Sequence, residues 1–345
     1  MWWAMSRQVR TLLLGAVLCL VLLVGMFVLR VPYVVLSPGP TVNTLGKDGG
    51  TDIILIKGHA TSPTSGHLNL TTVSVETDNT TVAGAIKGWL ARDEVVVPHD
   101  SVFPPGVSQD QVNRQDQQDF VQSQDSATAA AACELKYPKG FGVLSVASDS
   151  PNAKVLKPGD RFVSVGGSRI TDDGSLRRVL AALKVGDRIQ VVVDRHGAQM
   201  SVTARMGAPA NGTTSPRLGI TVAEGCIPPF EVTLGLTGIG GPSAGLMFAL
   251  GIIDKLGPDN LTHGRFIAGT GTIDPSGAVG RIGGIQLKML GARRAGASVF
   301  LAPDGNCDDV RGNIPSGLNV IKVSTLHGAI QSLDALFTGR AVPRC

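Results

Sequence analysis

Nineteen consecutive residues, Thr11 to Leu29, carry no charge and are almost wholly apolar, a run long enough to cross a bilayer as one helix. Arg7 and Arg10 precede it, which predicts a cytoplasmic 1–10 segment, a membrane anchor over 11–29 and everything after Arg30 outside. A cleaved signal peptide is the rival reading, but Arg30-Val31-Pro32-Tyr33 follows instead of an Ala-x-Ala-like site, so an uncleaved signal anchor is favoured. Further along, apolar residues alternate with polar ones in 143–146, 161–165, 189–193 and 199–204. These segments read as strands, the last two joined by a turn at His196-Gly197, and 173–183 reads as a helix. Leu246 to Leu256 is apolar until Asp254 and Lys255, the pattern of a helix buried on most sides. An Ala-rich helix follows Asp125, the polar stretch 109–124 reads as a surface helix or loop, and 98–107 reads as an exposed loop.

Composition narrows the class of protein. A chain of 345 residues with 43% hydrophobic content is ample for two folded units. A net charge of +4, two of which belong to Arg7 and Arg10, argues against a nucleic-acid surface. The six histidines are scattered, without a His-Glu-x-x-His pattern, and neither a metal nor a cofactor is implied. Cys19 lies in the membrane run, leaving Cys133, Cys226, Cys307 and Cys345, an even number in what should be an oxidising space. Four cysteines allow three pairings, and spacing alone does not choose among them.

Candidate chemistry sits in Gly240-Gly241-Pro242-Ser243-Ala244-Gly245. Two glycines permit a sharp turn, Pro242 suits the first turn of a helix, and Ser243 is placed where free backbone N–H groups point outward. Those groups can hold an oxyanion beside a serine nucleophile. Lys288 lies in a second helical pattern, opened by Gly283-Gly284 and closed by Gly296, with Ile285 and Ala292 on its own face. A desolvated lysine loses protons more readily and can accept the serine's. Read alone, Ser243 is also a helix cap and Lys288 also a snorkelling surface lysine. The glycine-rich run 235–240 lacks the Gly-Lys-Ser/Thr ending of a nucleotide-binding P-loop, which makes ATP-driven unfolding an unexpected activity for this polypeptide.

The joint pattern decides between those readings. Gly-Pro-Ser-Ala-Gly, then Thr270-Gly271-Thr272-Ile273, Gly277, Gly280-Arg281-Ile282-Gly283-Gly284, Lys288 and Arg293-Arg294-Ala295-Gly296-Ala297 resembles the proteolytic domain of Lon proteases. The resemblance implies Ser243 as nucleophile, Lys288 as its general base, and Thr270 and Ala244 as supporting residues. Gly240 departs from the pattern, since ATP-dependent Lon proteins usually carry an acidic residue there. A second segment, Gly140-Phe141-Gly142-Val143-Leu144-Ser145-Val146 through Leu156-Lys157-Pro158-Gly159-Asp160 to Val165, resembles a bacterial PDZ domain. Such a domain implies capture of a peptide C-terminus as an added strand, with Lys139, Gly140, Phe141, Gly142 and Val143 as the expected turn and strand.

The resulting expectation is an α+β protein with an N-terminal transmembrane helix and a Lon-type proteolytic domain carrying an inserted PDZ domain. Its parts are 31–136 as the first portion of the Lon-like fold, 138–207 as the PDZ domain and 215–345 as the Ser-Lys proteolytic domain. An insertion leaves and re-enters its host at neighbouring points, which together with the resemblance implies disulfides Cys133–Cys226 and Cys307–Cys345. The whole order resembles the YlbL-type PDZ-Lon-like serine proteases, single-pass proteins of the bacterial plasma membrane with an extracytoplasmic catalytic part. It implies an ATP-independent endopeptidase acting on unfolded or flexible proteins, able to form homo-oligomers. The alternatives are an inert PDZ scaffold, excluded if a serine-reactive probe labels Ser243, and an acyl transferase or esterase using the same pair, separated by substrate assays.

Overall fold

The structure, a computed structural model, describes residues 7–345 except 77–79, 210–214, 237 and 259. Residues 1–6 of the expected cytoplasmic segment and Thr237 of the glycine-rich run therefore lie outside the described residues. In chain order the main elements begin with helix α1 (Arg7–Val28), strands β1 (Tyr33–Asn43), β2 (Ile54–Lys57) and β3 (His67–Glu76), helix α2 (Val82–Leu90), strand β4 (Val95–Pro98) and helix α3 (Gln109–Glu134). Next come β5 (Lys139–Val146), β6 (Arg161–Val165), helix α4 (Asp173–Leu180), β7 (Arg188–Arg195), β8 (Ala198–Arg205), β9 (Ile220–Cys226) and β10 (Glu231–Leu234). The chain closes with helix α5 (Gly245–Leu256), β11 (Phe266–Gly269), helix α6 (Ile285–Ala295), β12 (Val299–Pro303), β13 (Asn319–Val323) and helix α7 (Leu326–Phe337). The architecture is α+β.

Two compact units divide the chain, one holding residues up to Pro40 with Thr72–Arg114, the other Thr41–Thr71 with Gln115–Cys345. In the first unit, Thr11–Val28 of α1 is long and apolar enough to cross a membrane, and none of that window is buried. Tyr33 to Leu36 of β1 pair antiparallel with β4, from Tyr33↔Pro98 to Leu36↔Val95. The segment 98–107, expected as loop, opens with a one-turn helix, His99–Val102.

In the second unit, β13, β12, β11 and the first half of β3 form a parallel sheet. Alternation along these strands sends Ile267, Val299, Leu301 and Ile321 to one core and Ala268, Phe300, Ala302 and Val320 to another. Helix α5 fills the first, and Ile285, Met289 and Ala292 of α6 fill the second, as a parallel sheet covered on both faces requires. Every residue of α5 except its last is buried, which is why Leu246 to Ile253 are apolar on all sides.

A separate core, built on Val143, Leu156, Phe162, Val165, Leu176, Val191 and Val193, belongs to a six-stranded sheet whose main path runs β8-β7-β6-β5-β9, with the short strand Ser168–Arg169 pairing off it against β6. Strands β7 and β8 join through His196 (φ 55°) and Gly197 (φ 84°), both left-handed, as the two-residue hairpin turn demands. Helix α4 starts with a capping box between Asp172 and Ser175. The sheet is reached from the end of α3 and left at the end of β9, where β5 and β9 run antiparallel from Ile220↔Val146 to Cys226↔Lys139. There Cys133 and Cys226 are bonded, with Cα atoms 5.0 Å apart. Cys307 and Cys345 form the second disulfide, and Cys19 is free on α1.

Candidate active site and peptide groove

Ser243 stands on a turn ahead of α5, which begins at Gly245 with Ala244 as its cap residue, one step later than the first-turn placement its sequence suggests. The cause is the Ser243 carbonyl, which takes the Gly271 N–H at 2.9 Å and the Thr270 hydroxyl at 3.0 Å and so is drawn away from a helical partner. Neither the Ser243 nor the Ala244 amide has an acceptor among the described residues. These are two donors beside the Ser243 side chain, which is only half-buried.

Lys288 reaches this turn from the first turns of α6. That helix starts after Gly284 (φ 67°) and ends at Gly296 (φ 105°), whose N–H closes onto the Ala292 and Arg293 carbonyls, the usual glycine C-terminal stop. Lys288 is 4% exposed. Its Nζ stands 2.7 Å from Ser243 Oγ and donates to Thr270 Oγ1 at 3.1 Å. Burial brings its pKa down from 10.5 to about 8, because the charged ammonium loses its water without gaining a carboxylate partner. An amine that deprotonates near neutral pH, a hydroxyl within hydrogen-bond reach and two unpaired amides are the ingredients of acyl transfer.

A third element holds the serine turn, and its sequence reads only as a polar surface. In α3, the Asp116 carbonyl accepts the Gly241 N–H at 2.9 Å, Gln117 Nε2 donates to the Ile239 carbonyl at 3.2 Å, and Ser123 Oγ donates to the Pro242 carbonyl at 2.8 Å. A β-carbon on Gly240 would fall 2.8 Å from Asp116 Cβ, so α3 occupies the space a side chain there would need. Burial, then the neighbouring Asp119, raises the Asp116 pKa. Beside the turn, Asp119, Gln122, Ser123, Ser126, Pro242 and Ile273 to Pro275 line a cleft of about 400 Å³.

Lys139, Gly140, Phe141, Gly142 and Val143, expected to form a carboxylate-binding turn and a peptide-accepting strand, lie instead in β5. Its edges are taken: β9 pairs along its length, and on the other side Val143 exchanges hydrogen bonds with the 159–160 backbone. An added strand has no free backbone to meet there. On this side of the sheet the terminal strand is β9, and between β9 and α4 runs a groove of about 570 Å³. Leu176, Leu180, Leu218, Ile220 and Val222 contribute its apolar lining, joined by Ser215 to Gly219. Gly219 has φ 67°, a conformation that turns the chain from the loop into β9.

Residues 110–206 match the family model for a PDZ domain, and residues 206–335 that for the Lon protease (S16) C-terminal proteolytic domain. The chain pairs a PDZ domain with a Lon-type proteolytic domain. Lon protease 1 of Bacillus subtilis (strain 168) is 28% identical over 183 residues, 49% of this chain and 21% of its own length. Lon protease 1 of Sorangium cellulosum is 33% identical over 130 residues, 37% of this chain and 14% of its own. The chain thus spans about a fifth or less of the length of these relatives. The solved PDZ domain of an SdrC-like protein from Listeria monocytogenes is 24% identical, covering 25% of this chain and 90% of its own, with a TM-score of 0.23. The Lon-type domain contains Ser243, Thr270 and Lys288, and the PDZ domain supplies α4. No group of three His, Cys, Asp or Glu side chains among the described residues is placed to hold a metal ion.

Proposed function

We propose that this protein is a membrane-anchored serine endopeptidase that cleaves unfolded or flexible proteins outside the cytoplasm without ATP. The observation that carries the reading is the approach of a buried Lys288 to within 2.7 Å of Ser243 Oγ. Neutral Lys288 takes the hydroxyl proton as Ser243 attacks the peptide carbonyl, and the Ser243 and Ala244 amides receive the developing oxyanion. The ammonium so formed gives its proton to the leaving amine. Water, deprotonated by the same lysine, then releases the acyl group from Ser243 and restores both residues. Thr270 aligns the pair, since its hydroxyl touches the Lys288 amine and the Ser243 carbonyl.

The PDZ groove between β9 and α4 would gather substrates by their C-termini, the peptide joining β9 as an antiparallel strand. The apolar α1 supports a single-pass anchor, and Arg7 and Arg10 on its N-terminal side support an extracytoplasmic catalytic part. The test is digestion of an unstructured protein such as casein by the full chain in detergent. Ser243→Ala and Lys288→Arg should both be inactive, the second because a guanidinium does not deprotonate. Cleavage that survives Ser243→Ala would refute the mechanism. Leu180→Glu, in the groove wall, should weaken binding of free-carboxylate peptides while leaving casein turnover intact, and equal binding of amidated peptides would remove the groove from the reading.

A further inference from the structure

Helix α2, Val-Ala-Gly-Ala-Ile-Lys-Gly-Trp-Leu, contains a single charged residue, and only Ala85 and Gly88 of it are buried. The buried face rests on the β1–β4 pair of the same unit, where a β-carbon on Gly88 would stand 2.7 Å from Val96 and 3.4 Å from Val35 side-chain atoms. Trp89 and Leu90 are left 61% and 80% exposed. A helix apolar on nearly every side belongs in an apolar medium, and only part of this one finds it in the fold.

Its attachment identifies the rest. The Val82 N–H donates to the Leu29 carbonyl at 3.1 Å, the Val31 N–H donates to the Thr80 carbonyl at 2.9 Å, and Arg30 and Thr81 form a β-bridge. The first turn of α2 is therefore fastened to the end of the apolar helix α1. Tyr33, just past that end, meets Trp89 edge to face with ring centroids 5.8 Å apart, and such amphipathic aromatics concentrate at membrane–water boundaries. Lys87, held by Glu94 at 3.1 Å, has a stem long enough to keep its charge in water while the helix lies in the boundary.

We infer that α2 is an interfacial helix, with Trp89 and Leu90 inserted in the headgroup layer of the leaflet from which α1 emerges. The partner is a lipid surface. The inference rests on α1 spanning the membrane, and the two are read separately. With Trp2→Phe and Trp3→Phe, Trp89 is the sole tryptophan of the full chain. Reconstituted in phosphatidylcholine–phosphatidylglycerol vesicles, it should emit at shorter wavelength than tryptophan in water. Lipids brominated high on the acyl chain should quench it more than lipids brominated near the chain end. Water-like emission without quenching overturns the inference, and so does blue-shifted emission that no brominated lipid quenches, which signals a protein cover. Extraction of the same vesicles at alkaline pH reads α1: protein that stays with the lipid while Trp89 is unquenched refutes the interfacial helix alone, whereas released protein refutes the anchor and the inference with it.

Discussion

Labelling of Ser243 by a fluorophosphonate gives the most direct measure of the proposed base, because it needs no knowledge of the natural substrate. The perturbation is pH. With a pKa of about 8, Lys288 is neutral in about one molecule in eleven at pH 7, half at pH 8 and about nine in ten at pH 9. A lysine left at 10.5 would be neutral in only about one molecule in three thousand at pH 7. The second-order labelling rate of the full chain in detergent should rise about fivefold from pH 7 to pH 8, then by less than about twofold to pH 9, where it levels. Lys288→Arg should remove labelling across the range, and Ser243→Ala should remove it altogether. A rate that is flat from pH 7 to 9 would mean that no proton leaves the lysine in this window. A rate still climbing tenfold per unit at pH 10 would mean an amine in contact with water, and either result ends the argument from burial.

The same burial has a stability signature. The folded pKa of Lys288 lies below the 10.5 of the free side chain, so between about pH 8 and 10.5 the unfolded chain binds more protons and stability rises with pH; below about 8 the full cost applies, about 3 kcal/mol. Lys288→Met should therefore raise the denaturant midpoint of the Lon-type domain at pH 7 by the equivalent of about 1–2 kcal/mol, after the lost hydrogen bonds are subtracted, and this gain should vanish near pH 10.5. An equal gain at both pH values would show that the amine is not desolvated. Thr270→Val removes the hydroxyl that touches Lys288 and the Ser243 carbonyl, and the labelling rate should fall about tenfold to a hundredfold, from about 1–3 kcal/mol of lost alignment, with the midpoint changed far less. Cys133 and Cys226 close a loop with a sequence separation of 93, so Cys133→Ser with Cys226→Ser should cost up to about 4–5 kcal/mol in a chain-entropy picture, visible as a lower melting temperature, with reductant lowering it further only through the remaining Cys307–Cys345 bond.

Much of the fold is legible because its signals are local. Alternation marks β7 and β8 with their His196-Gly197 turn, and glycines mark both ends of α6. The all-apolar run of α5 follows from its burial on every side. The site is legible in its residue types but not in its distances, since the 2.7 Å between Lys288 and Ser243 joins positions 45 apart in the chain. Two features escape the pattern. The brace from α3 acts partly through a backbone carbonyl and through Gln117 and Ser123, in a stretch whose polar composition also fits an ordinary solvent face. The pairing of Lys139–Val143 with β9 also goes unseen, because a strand's free side depends on which strand, eighty residues on, pairs with it. No side-chain alternation in β5 records that β9 has already taken its backbone.

The enclosure of Lys288 makes the proposed chemistry a gauge of how tightly α6 is seated. An amine kept dry on a helix whose Ile285, Met289 and Ala292 pack into the core beside it regains its appetite for protons as soon as solvent seeps in. A slight loosening, well short of melting, would leave Ser243 and Lys288 side by side yet idle, so the proposed activity would fall silent before the fold falls apart.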